Sequence, residues 1–483
     1  MPPVFHLVCV LLAVLAVYAW QNRDNHWGVP ALAVLLTTTV WYVGDVIYND
    51  YEGYVAKIGH SALDSAWLQV LWFLICFGVL VGPLHRWVNR KYLHRRSVLM
   101  RVARHGVYGA GAFQRQIDRS IKWLVPAWLV LMLIGLVRTE FDFAGMFAPW
   151  LGRLAAPWIR GRIGGGFDAL LSLAGYFQLF FTASFGVIAA VARNPKTRAV
   201  AIAICLVAVP YYLFGRARNT MLSTLLPGFL SWVFLRLRVG MLARVAIVAA
   251  GFLVLESWMK FVIANRSDMS IATAVARKGF VLEDEETRHL GLNMFEELAL
   301  MNSFFEWGTL QPNWGRRYFA EIANPIPRAL WKNKPEIGLD YARARGMSWD
   351  KAQGTQGGVA ATISTGMIGQ GVVNFGAVLG PLASAILMAL WVVLLARQDP
   401  RGDEPGRLLL YMIGLILTFN MGRDITLLVL YPFLLGLLFL NAWQRLFEGG
   451  TQTKARTPRP SRDGLGGRAK PTTLAVTGGN ADD

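Results

Sequence analysis

Charged residues and cysteines are scarce in this sequence. Asp, Glu, Lys and Arg make up 16% of its 483 residues, whereas soluble domains carry about 25%. The three cysteines, Cys9, Cys76 and Cys205, lie within apolar runs and lack the spacing of a disulfide framework or a zinc site. The seven histidines are scattered, and there is no Asp-x-Asp pair. These absences argue against metal-dependent or histidine-based chemistry, and we expect no cofactor.

Long apolar runs, in contrast, are abundant, and hydrophobic residues make up 54% of the chain. A transmembrane helix needs roughly 20 apolar residues, because the hydrocarbon core of a bilayer is about 30 Å thick. The sequence therefore predicts an all-α, polytopic membrane protein with about 11 transmembrane helices. The eleven runs lie near 4–20, 28–48, 65–84, 123–139, 168–191, 199–214, 220–236, 244–263, 375–396, 408–421 and 425–443.

The basic residues lie mainly in short segments between the predicted spans. Ten Lys and Arg residues fall within 85–122, and such an excess marks the cytoplasmic side of a membrane. Alternation of the spans places 193–198, 236–244, 397–407 and the C-terminal tail on the same side, and each contains basic residues. We therefore predict an outer N-terminus, a cytoplasmic C-terminus and a long loop, 265–358, on the outer face. The net charge of +18 does not form one folded basic face, so we expect no nucleic-acid partner.

The predicted spans and loops divide the chain into four regions. These are an N-terminal region of about eight spans (residues 1–264), a large outer loop (265–358), a re-entrant segment with about three further spans (359–446), and a disordered cytoplasmic tail (447–483).

Two local patterns predict helices within these regions. In the loop, apolar residues from Leu292 to Phe305 recur at three- and four-residue steps, which predicts an amphipathic helix lying on the membrane or over the spans. Glycines from Gly366 to Gly376 interrupt an apolar run, which predicts a re-entrant or broken helix. Such irregular backbone at membrane depth must be buried in protein or line a water-filled cavity.

Arginines collect on the predicted outer face. An arginine in a short outer turn opposes the usual charge bias, and a guanidinium at the edge of the hydrocarbon is costly unless it is paired. For any one of these arginines, pairing with a neighbour such as Asp424 or snorkelling to the headgroups is as good an explanation as ligand binding. Convergence of several favours an anionic ligand, because the planar guanidinium binds phosphate or carboxylate bidentately. These arginines, in two short turns and the long loop, are Arg216, Arg218, Arg423, Arg266, Arg316, Arg317 and Arg328.

Carboxylates and aromatic residues also lie on the predicted outer face. Any of the carboxylates can serve as a general base toward a hydroxyl, but spacing does not choose among them, and most are expected to be solvated. They are Asp268, Glu296, Glu297, Glu306, Asp340, Asp350 and Asp424. The aromatic residues of the loop, which include Trp314, Tyr318 and Trp331, suit stacking on sugar rings and equally an interfacial belt.

Four motifs between about Gly215 and Tyr431 form a recognisable combination. They are Pro327-Arg328 with Trp331 and Lys334-Pro335, the stretch Gly369 to Gly376, the span junction Gly215 to Asn219, and Arg423-Asp424 before the last span. In this combination the chain resembles the oligosaccharide repeat-unit polymerases of bacterial cell surfaces, the Wzy-type O-antigen and exopolysaccharide polymerases. One departure is Gln370, which stands where we expect an acidic residue in many relatives.

The resemblance implies a glycosyltransferase at the periplasmic face of the bacterial inner (cytoplasmic) membrane. A glycan linked to undecaprenyl diphosphate is transferred to the terminal sugar hydroxyl of another lipid-linked repeat unit, beside a flippase and a chain-length regulator. On this basis we expect the diphosphate to bind Arg218, Arg328 and Arg423, and also Arg216, Arg266 and Arg317. We expect the base to be Asp424 or Glu306, and the sugars to contact Trp331, Tyr318 and Asn374.

Two other functions fit the same features. An O-antigen ligase-like transferase uses the same lipid-linked donor and also has a long outer loop. A flippase or transporter of the lipid-linked glycan is the other alternative, although transporters place charges near the middle of the membrane. The length of the glycan that accumulates without the protein separates polymerase from ligase.

Overall fold

The computed structural model describes most of the chain as helices and turns. The described residues are 1–93, 96–105, 111–151, 155, 157–158, 168–214, 218–264, 293–323, 326, 329–335, 339–345, 363–399, 404–423, 425 and 427–444. No strand occurs among them, as predicted for an all-α protein. Contacts divide the chain into one unit of residues 1–437 and a second of residues 438–483. The second is described only over the end of the last helix, and the predicted disordered tail, 447–483, lies outside the described residues.

The described residues before 265 form helices α1 to α12, and a π turn at Thr39–Val43 joins α2 to α3. These helices are Pro3–Gln21 (α1), Gly28–Thr38 (α2), Gly44–Tyr48 (α3), Tyr51–Ile58 (α4), His60–Val88 (α5), Val98–His105 (α6), Gly111–Arg138 (α7), Phe143–Phe147 (α8), Asp168–Val191 (α9), Pro195–Leu213 (α10), Arg218–Leu235 (α11) and Met241–Ala264 (α12).

The described residues after 292 form six further helices. Three belong to the long loop, and three follow it. They are Met294–Glu306 (α13), Arg316–Ala323 (α14), Leu339–Ala344 (α15), Gly366–Ala396 (α16), Pro405–Met421 (α17) and Leu427–Trp443 (α18).

Within the described residues, seven helices are long and apolar enough to cross a membrane by length and composition. They are Pro3–Gln21, Gly28–Tyr48, His60–Val88, Gly111–Arg138, Leu173–Val191, Pro195–Leu213 and Gly366–Ala396. The other four predicted positions hold shorter apolar helices, at Asn219–Leu235, Met241–Leu255, Pro405–Met421 and Val429–Trp443. The polytopic helical architecture is therefore confirmed, and the count of eleven spans stays a prediction.

Helix α16 reverses its direction at Gly376. The backbone there has φ 79° and ψ −176°, a conformation that only glycine adopts readily. The hydroxyl of Ser384 donates a 2.8 Å hydrogen bond to the carbonyl oxygen of Met367, 17 residues earlier, whereas a straight helix would separate them by about 25 Å. The broken helix predicted from the glycines is thus present as a hairpin, with a first arm at 366–375 and a second at 377–396.

The first arm begins alongside a candidate transmembrane span. The backbone N–H of Ile368 donates a 2.9 Å hydrogen bond to the hydroxyl of Tyr42. The indole of the preceding Trp41 donates a 2.9 Å hydrogen bond to the carbonyl of Phe419, near the end of α17. Both aromatic residues belong to the span Gly28–Tyr48 and to its π turn. Thr365, the residue just before the first arm, is fully buried, so the start of the arm is enclosed by protein beside this span, as irregular backbone at membrane depth must be.

Helix α13 confirms the predicted helix, and it is buried against other helices rather than exposed on one face. Every residue from Met294 to Phe304 is buried, and the helix packs against α5 and α16. Glu296 and Glu297 belong to a set of carboxylates of which most were expected to be solvated, and both are buried. Periodicity missed this burial because the partners of the polar groups lie far away in the chain. Lys57, for example, pairs with Glu296 at 2.6 Å.

Candidate functional site

Asp45 in α3 fixes the start of α13. Its Oδ2 accepts hydrogen bonds from the backbone N–H groups of Phe295 (2.8 Å) and Glu296 (3.2 Å). Its Oδ1 accepts hydrogen bonds from the Asn49 amide (2.7 Å) and the Tyr54 hydroxyl (2.9 Å). Asp45 is fully buried, and these four donors offset the cost of burying its carboxyl group. Among the described helices of the long loop, α13 is therefore attached at its N-terminus to the helices that precede the loop.

A second buried carboxylate, Glu297, joins α13 to α15. It accepts hydrogen bonds from the Tyr341 hydroxyl, from Arg345 at 3.2 Å and from Asn293 at 3.1 Å. Burial raises the pKa of Glu297 above its ordinary value, against the opposing effects of the Tyr341 hydrogen bond and the Arg345 charge. Burial and the nearby Glu297 charge also raise the pKa of Tyr341. The described helices α13 and α15 thus form one buried framework.

Two backbone hydrogen bonds hold the residues before α14 against the hairpin. The N–H of Asn313 donates to the carbonyl of Val373 at 3.1 Å, and the N–H of Trp314 donates to the carbonyl of Asn374 at 2.8 Å. Trp314 has φ 50° and Gly315 has φ 85°, so the chain passes through the left-handed region before it enters α14. This turn places the first residues of α14 on the first arm.

Helix α14 carries two buried, oppositely charged residues on one face. Arg317 and Glu321 are four residues apart, which places them on the same side of a helix, and they are 3% and 4% exposed. The amide Nε2 of Gln370 in the first arm donates a 2.8 Å hydrogen bond to Oε1 of Glu321. The Asn374 amide donates a 2.7 Å hydrogen bond to the carbonyl of Gln370. We refer to Arg317, Glu321, Gln370 and Asn374 as the hairpin site.

The ring of Tyr431, near the start of α18, packs against that of Tyr176 with 5.1 Å between centroids, and Tyr431 lies within range of the charge of Glu321. Among the described residues, neither the Tyr431 hydroxyl nor Oε1 of Gln370 has a hydrogen-bond partner, although both side chains are buried. Because buried polar atoms are normally hydrogen-bonded, these two atoms are suited to binding a polar ligand.

The turn after α17 brings a further arginine to the start of the first arm. The carbonyl oxygens of Arg423 and Gly422 accept hydrogen bonds from the N–H groups of Gly366 (2.8 Å) and Met367 (3.0 Å). The exposed Arg423 side chain donates a 2.9 Å hydrogen bond from Nε to the hydroxyl of Ser364. Arg423 therefore lies beside the N-terminal end of the first arm. This end is about one helical turn away from Gln370 of the hairpin site.

The same turn lies beside the start of α11. The amide of Asn420 donates hydrogen bonds to the carbonyl of Asn219 at 3.4 Å and to the hydroxyl of Ser223 at 3.3 Å. Arg218 is the first residue of α11. The end of α17 and the start of α11, which adjoin the two short turns predicted to carry outer arginines, are therefore in contact.

The described residues contain only part of the predicted site. Glu306, predicted as a possible base, is exposed at the end of α13 and accepts a 3.0 Å hydrogen bond from the Ser61 hydroxyl. The assignments of base and diphosphate ligands stay predictions. Several residues with these assignments lie outside the described part of the chain, namely Arg216, Arg266, Arg328 and Asp424, together with the side chain of Arg218.

Two of the three residues predicted to contact sugar are brought together. The N–H of Tyr318 donates a 3.4 Å hydrogen bond to Oδ1 of Asn374, and the Tyr318 ring centroid lies 6.2 Å from that of Phe375. Trp331 instead packs edge-on against Phe319, with 6.1 Å between centroids. Tyr318 and Asn374 therefore belong to the same contact between loop and hairpin, while their role in sugar binding stays a prediction.

Two buried carboxylates, Glu321 and Asp45, escape sequence reasoning. The signal for Glu321 is its position four residues after Arg317 in a short amphipathic segment. The signal for Asp45 is its place inside an apolar run, because an ionisable residue within a span is expensive and so marks a special environment. Gln370, the departure from the expected acidic residue, is hydrogen-bonded to a carboxylate supplied by another helix.

Comparison of the chain with protein-family models, curated proteins and solved structures found no match. Among the residues that the structure describes, no three His, Cys, Asp or Glu side chains cluster as metal ligands would.

Proposed function

We propose that this protein is a membrane glycosyltransferase that polymerises oligosaccharide repeat units carried on undecaprenyl diphosphate. The growing glycan passes from its lipid carrier to the terminal sugar hydroxyl of a second lipid-linked repeat unit, and undecaprenyl diphosphate is released. The reaction takes place at the outer face of the bacterial inner membrane and yields O-antigen or exopolysaccharide. A flippase supplies the repeat units, and a chain-length regulator works beside the enzyme.

The observation that carries this proposal is the burial of Arg317 and Glu321 on a loop helix that packs against the α16 hairpin. Removing charged groups from water is expensive even when they are paired. In membrane proteins such groups commonly mark the places where polar substrates or ions are handled. The hairpin site combines charge, amide groups and an aromatic border with a bundle of apolar helices, as a lipid-linked sugar donor requires.

The chemistry of the leaving group explains the need for arginine. Cleavage of the bond between the sugar and the diphosphate leaves negative charge on the diphosphate, and positioned guanidinium groups stabilise such charge as it develops. We assign this role to Arg317 and Arg423, with Arg218 and Arg328 as further ligands suggested by the resemblance. Their effect is larger where water is excluded, because electrostatic interactions strengthen as the local dielectric falls.

Proteoliposomes supplied with a synthetic repeat unit on polyprenyl diphosphate test the proposal. The wild-type protein should produce lipid-linked glycans of two or more repeats, measured by mass spectrometry. Arg317→Ala, Arg423→Ala and Arg328→Ala should each abolish extension without preventing membrane insertion. Arg397→Ala is the matched control, because Arg397 is exposed beyond the end of α16 in a segment predicted to be cytoplasmic, and it should extend normally.

Other outcomes of this assay support other functions. Transfer of a preformed long chain to a different acceptor, without extension of single repeats, would indicate a ligase-like enzyme. Movement of the unaltered lipid-linked unit between leaflets would indicate a flippase. Normal extension by the Arg317→Ala and Arg423→Ala variants would show that these arginines do not bind the diphosphate.

A further inference from the structure

The hydrogen bond between Glu321 and Gln370 places a buried carboxylate beside the proposed diphosphate ligand. On the basis of the proposed function, we infer that Glu321 is the general base of the transfer and that Gln370 is the positioning residue that orients its carboxylate. Glu321 would take the proton of the acceptor sugar hydroxyl.

A continuous set of hydrogen bonds holds the Glu321 carboxylate in place. Its Oε1 accepts from Gln370 at 2.8 Å, and the carbonyl of Gln370 accepts from the Asn374 amide at 2.7 Å. Oδ1 of Asn374 in turn accepts from the backbone N–H of Tyr318 at 3.4 Å. Gln370 and Asn374 are fully buried and lie in the first arm, so the carboxylate is fixed by helices rather than by a loop.

The surroundings of Glu321 suit a sugar hydroxyl. Oε1 of Gln370 and the hydroxyl of Tyr431 are buried and have no hydrogen-bond partner among the described residues. Gln370 is the residue that binds Glu321, so its Oε1 can accept a hydrogen bond from a further hydroxyl of the acceptor sugar and hold the sugar against the base.

The other carboxylates that the structure describes as buried on the predicted outer side have structural roles. Asp45 binds the N-terminus of α13, while Glu296 and Glu297 attach the same helix to its neighbours. Glu321 differs because it shares a helix face with Arg317. A base and a leaving-group ligand must both lie close to the reacting carbon, and neighbouring positions on one face of a helix can provide both.

The proposed step balances as a simple displacement. The oxygen of the acceptor hydroxyl forms a bond to the anomeric carbon of the donor glycan, and its proton passes to the Glu321 carboxylate. The bond between the anomeric carbon and the diphosphate oxygen breaks, and its electron pair leaves with undecaprenyl diphosphate, which Arg317 stabilises. Glu321 then releases the proton to water. Burial of the base limits access of water, which would otherwise hydrolyse the donor.

The first test compares Glu321→Gln with wild type in the proteoliposome assay. The glutamine has the same size and can still form a hydrogen bond with Gln370, so the contact between α14 and the hairpin is kept. We expect the rate of extension to fall by about 100-fold or more, within the range that general bases contribute. Binding of the labelled lipid-linked donor should be unchanged. Glu52→Gln, at an exposed position in α4, is the control and should extend normally.

The second test exchanges the two hydrogen-bonded residues, so that the carboxylate stands at position 370 instead of position 321. The double variant Glu321→Gln with Gln370→Glu restores a carboxylate beside the original position, and we expect a rate about tenfold above that of Glu321→Gln alone. A purely structural role predicts no such recovery, because the single variant already keeps the hydrogen bond. Glu321→Asp serves if Glu321→Gln does not fold, and it should retain extension because it keeps a carboxylate.

The outcomes separate this inference from the proposed function. If the wild-type protein does not extend the glycan, both are wrong. If wild type extends and Glu321→Gln extends at the same rate, only the assignment of the base is wrong. Parallel loss of donor binding and extension in Glu321→Gln would also overturn it, because Glu321 would then act by placing Arg317.

Discussion

Gly371 and Gly380 lie in direct backbone contact across the α16 hairpin. A methyl group on Gly371 would overlap the carbonyl oxygen of Gly380, and one on Gly380 would overlap the backbone of Val372. This close approach brings the two arms together beside Gln370, which carries the hydrogen bond to Glu321. The geometry of the hairpin site therefore depends on the absence of side chains at these two positions.

Gly371→Ala should destabilise the protein and impair the hairpin site. The added methyl group meets backbone that cannot move without separating the arms, and overpacking of this kind costs about 1–3 kcal/mol. The midpoint of thermal unfolding in detergent measures the effect. Gly82→Ala in α5 is the control, because no atom lies within 4 Å of the added group, and it should be as stable as wild type or more so. Equal stability of the two variants would contradict the close packing.

Asp45→Ala should destabilise the protein more than Asp50→Ala does. Both substitutions remove an aspartate that caps the start of a helix. Loss of the buried Asp45 leaves four donors without their acceptor, at a total cost of about 3 kcal/mol or more. Asp50 caps the exposed start of α4 through the N–H of Glu52 at 3.1 Å, and its loss should cost about 1 kcal/mol. Thermal unfolding of both variants in detergent measures the difference. Equal losses would mean that Asp45 does not hold α13.

The raised pKa of Glu297 predicts a loss of stability as pH rises. The folded protein holds this proton more tightly than the unfolded chain does, so the stabilisation is fully present below the ordinary pKa of a glutamate. It is lost as pH rises through the raised value in the folded state. Glu297→Gln should therefore flatten the fall of the thermal midpoint between acidic and neutral pH, whereas Glu52→Gln should leave it as in wild type. An unchanged slope in Glu297→Gln would contradict the burial of an ionisable group there.

Cysteine labelling tests the predicted orientation. Trp307, after α13, is exposed on the predicted outer side, and Leu242, at the start of α12, is exposed on the predicted cytoplasmic side. In a protein whose three native cysteines are replaced by serine, a membrane-impermeant maleimide should label Trp307→Cys in intact spheroplasts. Leu242→Cys should be labelled only after permeabilisation. The reverse pattern would invert the topology and place the hairpin site in the cytoplasm.

Hydropathy and glycine spacing predicted much of this fold because both act locally. Apolar runs such as 28–48 and 199–214 located the helices, since length and composition alone decide whether a segment suits a membrane. The glycines between Gly366 and Gly376 correctly predicted a broken helix, because only glycine readily adopts the backbone angles that reverse the chain.

The position of α13 and the identity of the buried charges were not predictable in the same way. Glu296 is buried because Lys57 pairs with it, and Glu297 is buried because Tyr341 and Arg345 bind it. These partners come from distant segments, which periodicity does not relate to one another. Glu321 likewise becomes a candidate only when the hairpin brings an amide to its carboxylate.

Deletion of the gene in its host tests the proposed polymerase most directly. Lipid-linked glycans and surface polysaccharide would be extracted from the mutant and compared with wild type by gel electrophoresis and mass spectrometry. The proposal predicts single repeat units on undecaprenyl diphosphate at the outer face of the membrane and no long surface chains. Long chains that remain on the lipid, or single repeats held at the inner face, would contradict it.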